Sequence, residues 1–295
     1  MPKQFAHRFI SLPCLRGRAG AGATNTMTTT PESRLLELYD RVAEAPDAIK
    51  RLRKFVLDLA VRGKLVEQNP EDEPAEELLE RIAAEKAWLV KAGEVRKDRI
   101  STSIPTEEEA FTLPSTWQWT PAIFPTYGIS DLGKKIKTKD VLEEGKFPVV
   151  DQGKVLIRGY CDDQDKVIDV STPVIVFGDH TREVKLIDFN FVVGADGVKI
   201  LHPICIDPQY YHLALQWLPL ASRGYGRHFK LLKASSIPLP PLPEQHRIVG
   251  KVDALMELCG KLEDATTAAH TTRARLLEVL LHDSLAQDAP DRAAA

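Results

Sequence analysis

Residues 238–243 hold four prolines in six positions, Pro238, Pro240, Pro241 and Pro243, and a long helical pattern begins directly behind them. Proline removes a backbone donor and fixes φ, so this stretch cannot lie inside a helix or a central strand. It reads as a stiff, extended lead-in. Pro243 and Glu244 suit the first turn of a helix, where a fixed φ and a negative charge are both favourable. Ile248, Val252, Leu255, Cys259 and Leu262 then recur at steps of 4, 3, 4 and 3, the spacing of a coiled-coil seam. The seam lapses across Thr266–Arg275 and resumes at Leu276, Leu277, Leu280, Leu281 and Leu285. Such a helix, about 60 Å long to residue 287, cannot leave an apolar seam in water. A partner helix is required, either Ile49–Leu59 of the same chain or a helix of a second copy.

The rest of the chain divides by periodicity. Residues 1–30 read as a disordered extension: the first 27 carry Lys3, Arg8, Arg16 and Arg18, no acid and no apolar signal core. Met27 sits just before the recognisable pattern, so upstream sequence included by an early start choice is a second reading of this segment. Residues 31–98 read as a helical module. Leu35, Leu36, Tyr39 and Val42 form one apolar patch, and Asp47 is placed to cap a restart with Ile49, Leu52, Val56 and Leu59 on one stripe. Gly63 is expected to stop that helix in the left-handed region. Pro74 opens another, with Leu78, Leu79, Ile82 and Leu89 facing inward. The polar stretch from Arg96 to Pro105 marks a boundary.

Residues 99–240 change period. Runs rich in Val, Ile and Phe alternate with glycine-containing turns, predicting strands at Phe147–Val150, Lys154–Ile157, Pro173–Phe177, Phe189–Val193 and Val198–Leu201. Gly194-Ala195-Asp196-Gly197 reads as a tight turn, and Pro208–Ala221 as the one good helix. Residues 241–287 form the long helix and 288–295 a frayed tail. The fold class is α+β, a β-rich domain flanked by helices.

Net charge is −3, yet charge is patchy. Residues 67–80 carry seven acids and no base, 134–139 four lysines in six positions, and 223–233 four bases and no acid. Lys134, Lys135, Lys137 and Lys139 in a glycine-flanked segment can present amines to phosphates. Arg223, Tyr225, Arg227, His228 and Lys230 interleave bases, aromatics and glycines, which lets backbone approach a duplex while arginine reaches base edges. Arg182 and Lys185, near a turn at Gly178-Asp179-His180, are weaker candidates. These patches are compatible with contact to double-stranded DNA, with the solvated faces of an ordinary protein as the alternative.

Catalytic motifs are sparse. No P-loop, GxSxG, HExxH or Asn/Asp-Pro-Pro-aromatic motif occurs, and no cofactor is expected. Glu183-Val184-Lys185 with Asp169 upstream makes one nuclease-like D…ExK pattern able in principle to hold Mg²⁺. Cys14, Cys161, Cys205 and Cys259 are widely spaced, which favours a reducing, cytoplasmic setting over a zinc site or disulfides. No apolar run is long enough to span a membrane.

Leu239-Pro240-Pro241-Leu242-Pro243-Glu244-Gln245-His246-Arg247-Ile248-Val249 resembles the start of the spacer helix in specificity subunits of type I restriction–modification systems. Leu113-Pro114-Ser115-Thr116-Trp117-Gln118-Trp119 is similar to the LPxxWxW lead-in of that family's target recognition domain. Asp131-Leu132-Gly133, Phe147-Pro148-Val149-Val150-Asp151-Gln152-Gly153 and Gly178-Asp179-His180 follow its core pattern. Leu57-Asp58-Leu59-Ala60-Val61-Arg62-Gly63-Lys64-Leu65-Val66 and Glu71–Leu79 look like its neighbouring helix and loop. The resemblance implies a non-catalytic DNA-recognition subunit that positions modification subunits, and a restriction subunit, on a bipartite target. Such subunits usually hold two recognition domains and two spacer helices; one set is evident here. A half-subunit pairing with a second copy or with another half, or a truncated protein, would each account for this. Two rivals remain from the residues alone, a stand-alone Mg²⁺ nuclease and a protein-only coiled-coil adaptor.

Overall fold

The first helix, α1 (Ala48–Val61), turns its Val56, Ala60 and Val61 side chains into the core, while Leu52 near its start stays 38% exposed. Asp47 stands at the cap position but bonds Arg51 at 2.7 Å rather than a backbone N–H. Gly63 ends the turn at φ +66°, where a Cβ would also lie 2.5 Å from the Pro114 ring. These features come from a computed structural model that describes residues 47–95, 111–194, 196–221, 224 and 226–287, without the side chains of 285–287. The expectations for residues 1–46, the Arg96–Pro105 boundary, Arg223, Tyr225, Leu285 and the tail from 288 lie outside the described residues.

Helix α2 (Ala75–Lys91) begins behind Pro74 and buries Leu78, Ile82 and Leu89. Its first N–H, from Ala75, bonds Thr116 O at 2.9 Å and ties the helix to the Leu113–Trp119 segment. The β-rich region then starts at β1 (Gln118–Pro121) and closes at β11 (Ser236–Leu239), and these two strands pair antiparallel, Gln118 with Leu239 and Pro121 with Ser236. Pro238 is tolerated because this is a two-stranded sheet with open edges. The domain therefore opens and closes at one place, on the helices.

Between those strands lie two sheets. One is antiparallel in the order β2 (Thr126–Ile129), β10 (Val198–Pro203), β7 (Val174–Gly178), β8 (Val184–Ile187). The other is built on β9 (Phe191–Gly194), which pairs in parallel with β3 (Lys135–Ile136) and β4 (Phe147–Val150), and antiparallel with β6 (Val167–Ile168); β5 (Gly159–Cys161) completes it beside β4. β7 and β9 are buried at every residue, as their unbroken apolar runs require. Lys154–Ile157, expected as a strand, is instead the loop joining β4 to β5. Its apolar residues follow a glycine and join no sheet.

Helix α3 (Pro208–Trp217) is capped by Asp207, whose carboxylate accepts from Gln209 and Tyr210 N–H at 2.8 Å each. The short α4 (Phe229–Lys233) leads to β11. The long α5 (Leu242–Gln287) then runs 46 residues, roughly 70 Å. Its seam packs on α1: Val56 and Ala60 share a core cluster with Ile248, Val249 and Val252. Arg53 meets Glu263 at 2.7 Å while Gln68, just past α1, meets Glu244 at 2.6 Å, so the two helices are antiparallel. The same cluster takes in Leu78, Ile82, Trp117, Tyr210 and Ile237, so one core joins α1, α2, α3, α5 and the closing strands. The architecture is α+β, with a β-rich domain, flanking helices and a long C-terminal helix. No helix among the described residues is long and apolar enough to cross a membrane.

The Glu244-Gln245 pair explains why the lead-in and the helix meet at a fixed angle. Glu244, 1% exposed, accepts from Trp117 Nε1 at 2.9 Å and Gln68 Nε2 at 2.6 Å. Gln245, fully buried, donates to Pro240 O at 2.9 Å and accepts from Asp207 N–H at 2.8 Å. One turn on, Arg247 grips Asp72 at 2.6 Å. Part of the acidic 67–80 stretch is therefore a bracket on α5 and not solvated surface.

Candidate nucleic-acid interface

Strand register brings several loops to one end of the β-rich domain. Val193 of β9 pairs with Lys135 of β3 and with Val150 of β4, so those strands flank β9 on opposite edges and run the same way. Lys137, Asp151 and Asp196, each just beyond a strand end, leave the sheet together, with β3 and β4 roughly 10 Å apart. In the other sheet Gly178, last of β7, pairs with Val198, first of β10. The turn after β7 meets the β9–β10 link there, where Asp179 N–H bonds Gly197 O at 2.7 Å.

Three polar side chains hold this corner. Asp179, 5% exposed, accepts through its carboxylate from Phe229 N–H at 2.7 Å, and its carbonyl accepts from His228 N–H at 2.7 Å and His228 Nδ1 at 2.9 Å. Gln152 accepts from His180 N–H at 3.2 Å, and its carbonyl takes the Thr181 hydroxyl. Gly197 at φ +87° leaves room for both: a Cβ there would stand 2.7 Å from Gln152 Oε1 and 2.8 Å from His180 Cδ2. Lys185 lies beneath, 6% exposed, donating to Asp151 O at 2.8 Å and Val155 O at 2.6 Å, with the Asp151 carboxylate 3.7 Å away. Burial pushes its ammonium pKa down, and Asp151 opposes that shift.

The expected DNA contacts fall into distinct groups. Lys137, Lys139, Arg227 and Lys230 are exposed, and Arg182, at φ +67°, is exposed on the turn after β7 with Nη1 on Leu220 O at 2.7 Å. Lys135 is exposed but faces Asp131 and Asp196 at 3.2 Å each. Lys134 donates to Val167 O at 2.6 Å and fastens β3 to β6. Lys185 and His228, expected at the surface, are instead both buried, because β8 alternation puts Lys185 on the inner face with Ile187 and because His228 is bonded to the Asp179 carbonyl. Inward placement of Lys185 also dismantles the D…ExK pattern. Among the described residues no three His, Cys, Asp or Glu side chains gather as a metal ion would need. On α5, Ile248, Val252 and Cys259 are buried and Leu255 and Leu262 half-buried, against α1 of the same chain.

Sequence reasoning missed Asp179, Gln152 and Lys185 as the posts of the corner. The parity of Lys185 with Ile187 was a usable signal; the roles of Asp179 and Gln152 depend on contacts across 28 or more positions and had none.

Residues 124–269 match the family model described as type I restriction modification DNA specificity domain. The chain is 34% identical over 266 residues to the EcoEI specificity subunit of Escherichia coli, covering 79% of this chain and 43% of that one. It is 31% identical over 261 residues to the EcoAI specificity subunit of Escherichia coli, covering 79% and 44%. The chain thus spans less than half the length of these relatives. The crystal structure of the HsdS subunit from Thermoanaerobacter tengcongensis aligns with 79% of this chain and 52% of that one, at 17% identity and a TM-score of 0.42.

Proposed function

The chain belongs to the family of type I restriction–modification specificity subunits, and from that premise we propose that it reads one half of a bipartite DNA target for modification subunits that carry the methyl-transfer chemistry. In this reading the chain is itself non-catalytic and a restriction subunit is a further partner. The observation that carries the reading is the corner where β3, β4, β7 and β9 end. It exposes Lys137, Lys139, Arg182 and Arg227, while the lysines nearer the sheets are engaged by the protein. A rigid framework with outward cations supports phosphate contact, the part of DNA binding that fixes position and register.

Helix α5 supports the second half of the reading. It is stiff where α1 covers it, and farther along Leu276, Leu277, Leu280 and Leu281 are each 58–63% exposed. The reading assigns that stretch to a second copy of the chain or to another half-subunit, with α5 setting the gap between half-sites. Two identical halves related by a two-fold axis would read a palindromic target.

Binding of duplex DNA to the purified full chain, followed by fluorescence anisotropy across a salt series, tests the reading. Wild type should bind with a steep loss of affinity as salt rises. Replacing Lys137, Lys139 and Arg227 by Ala should weaken binding and reduce the logarithmic salt slope by about 0.9 for each phosphate no longer neutralised. Salt-independent binding, or affinity untouched by the triple replacement, contradicts it.

A further inference from the structure

Residues 151–158 join β4 to β5 at the corner. The base of this loop is fixed from three directions. Arg158 N–H bonds Val149 O at 2.8 Å and carries the β4–β5 ladder one step farther. Lys185 donates from below to Asp151 O and Val155 O. Gln152 is held by His180 and Thr181 from the turn after β7, and Gly153 N–H is taken by the Asp151 carboxylate at 2.8 Å. The tip is the opposite in character. Val155 is 66% exposed and Leu156 46% exposed. Exposed Lys154 and Arg158 flank them, and no acid occurs from Gln152 to Gly159.

Val155 and Leu156 are adjacent apolar side chains held out in water on a backbone fixed at its base, placed to meet an occupant. The charge around the tip selects one. Exposed Lys154 and Arg158 within the loop, and exposed Arg182 and Arg227 on the neighbouring segments, make this end of the domain cationic, with Asp151, 3.9 Å from Arg158, as the loop's own acid; that balance fits a polyanion and not an acid-poor protein surface. Aliphatic side chains recognise bases through contact with the C5-methyl group of thymine in the major groove. A pre-fixed backbone limits the ordering cost of such contact. We propose that the 151–158 loop is a base-reading finger, in which Val155 and Leu156 contact thymine methyl groups while Lys154 and Arg158 seat it on the flanking phosphates. This deepens the DNA-recognition reading above and rests on it, since it names the element that distinguishes sequences.

The test uses the full chain, co-expressed with its modification subunits, and a random-sequence duplex library from which bound DNA is selected and sequenced. Wild type should enrich a motif that includes thymine within reach of the finger. Synthetic duplexes of that motif are then made with deoxyuridine in place of single thymines, which removes only the methyl group. At one or two positions this should cost wild type about four-fold in affinity per methyl. The Val155→Ala/Leu156→Ala variant should be indifferent to the same replacement, yet keep the salt dependence of wild type. Both side chains are exposed, so the variant is expected to fold, and a matching circular-dichroism melt checks this. A wild type blind to every deoxyuridine, or a variant that loses as much as wild type does, overturns the finger while leaving DNA binding intact. A wild type that enriches no duplex at all overturns the recognition reading, and the finger with it.

Discussion

Glu244 sits where water scarcely reaches it, yet it is held by the Trp117 indole and the Gln68 amide. Burial pushes its carboxyl pKa above the ordinary 4.5, and the two hydrogen bonds pull part of the way back. The folded chain therefore keeps this proton to a higher pH than the unfolded chain does. Its stabilising contribution is full below about pH 4.5 and is lost as pH rises through the raised folded value. Urea unfolding of wild type and Glu244→Gln from about pH 4 to 7 should show this: the wild-type advantage, whatever its size at low pH, shrinks as pH rises, and parallel pH profiles would refute it. Lys185 makes a second prediction at this scale. Lys185→Met leaves the Asp151 and Val155 carbonyls without their donor and should cost about 1–3 kcal/mol of unfolding free energy in the same assay. Residue type alone put Lys185 and His228 among DNA contacts, because bases near glycine turns are usually at the surface. Strand parity could have moved Lys185 inward; His228 could not have been moved without knowing that Asp179 stands opposite it.

Helices were the most legible elements. The proline collar, the Pro74 and Gly63 boundaries and the seam from Ile248 to Leu262 are local in sequence, and local rules govern them. What periodicity left open was the partner of the seam, and α1 of the same chain fills that place along nearly the first half of α5. Ile248→Ala should accordingly destabilise the chain by about 2–5 kcal/mol in urea unfolding. Leu277→Glu with Leu280→Glu should leave that stability unchanged, since both side chains are exposed, and should abolish self-association in sedimentation velocity. Self-association at wild-type strength would exclude a second copy as the occupant of the leucine face. Strands were legible where both faces are buried, as in β7 and β9. Lys154–Ile157 was misread because its apolar content mimics a strand, whereas a loop tip exposes those residues. Pairing order was not legible: β9 takes β3, β4 and β6 as neighbours, and nothing in a short apolar run specifies which distant run lies beside it.

At the scale of the molecule, the β-rich domain opens and closes on one two-stranded sheet seated against a shared helical core. A corner carrying basic side chains is thereby fixed relative to a helix roughly 70 Å long. That arrangement is suited to holding a reading surface at a set distance from other subunits, and it is the physical content of the proposed function. The family was legible from motifs whose residues turn out to be buried brackets: Trp117, Glu244 and Gln245 build the joint between the β-rich domain and the long helix. The target sequence that the proposed function calls for was not legible, because it would depend on which exposed side chains meet which bases. The most direct measurement is a genome-wide methylation map of the cells that carry this gene, with the gene intact, deleted and restored. The account predicts that one bipartite motif loses methylation on deletion and regains it on restoration, while other motifs stay unchanged. A methylation map that is the same in all three strains would contradict it.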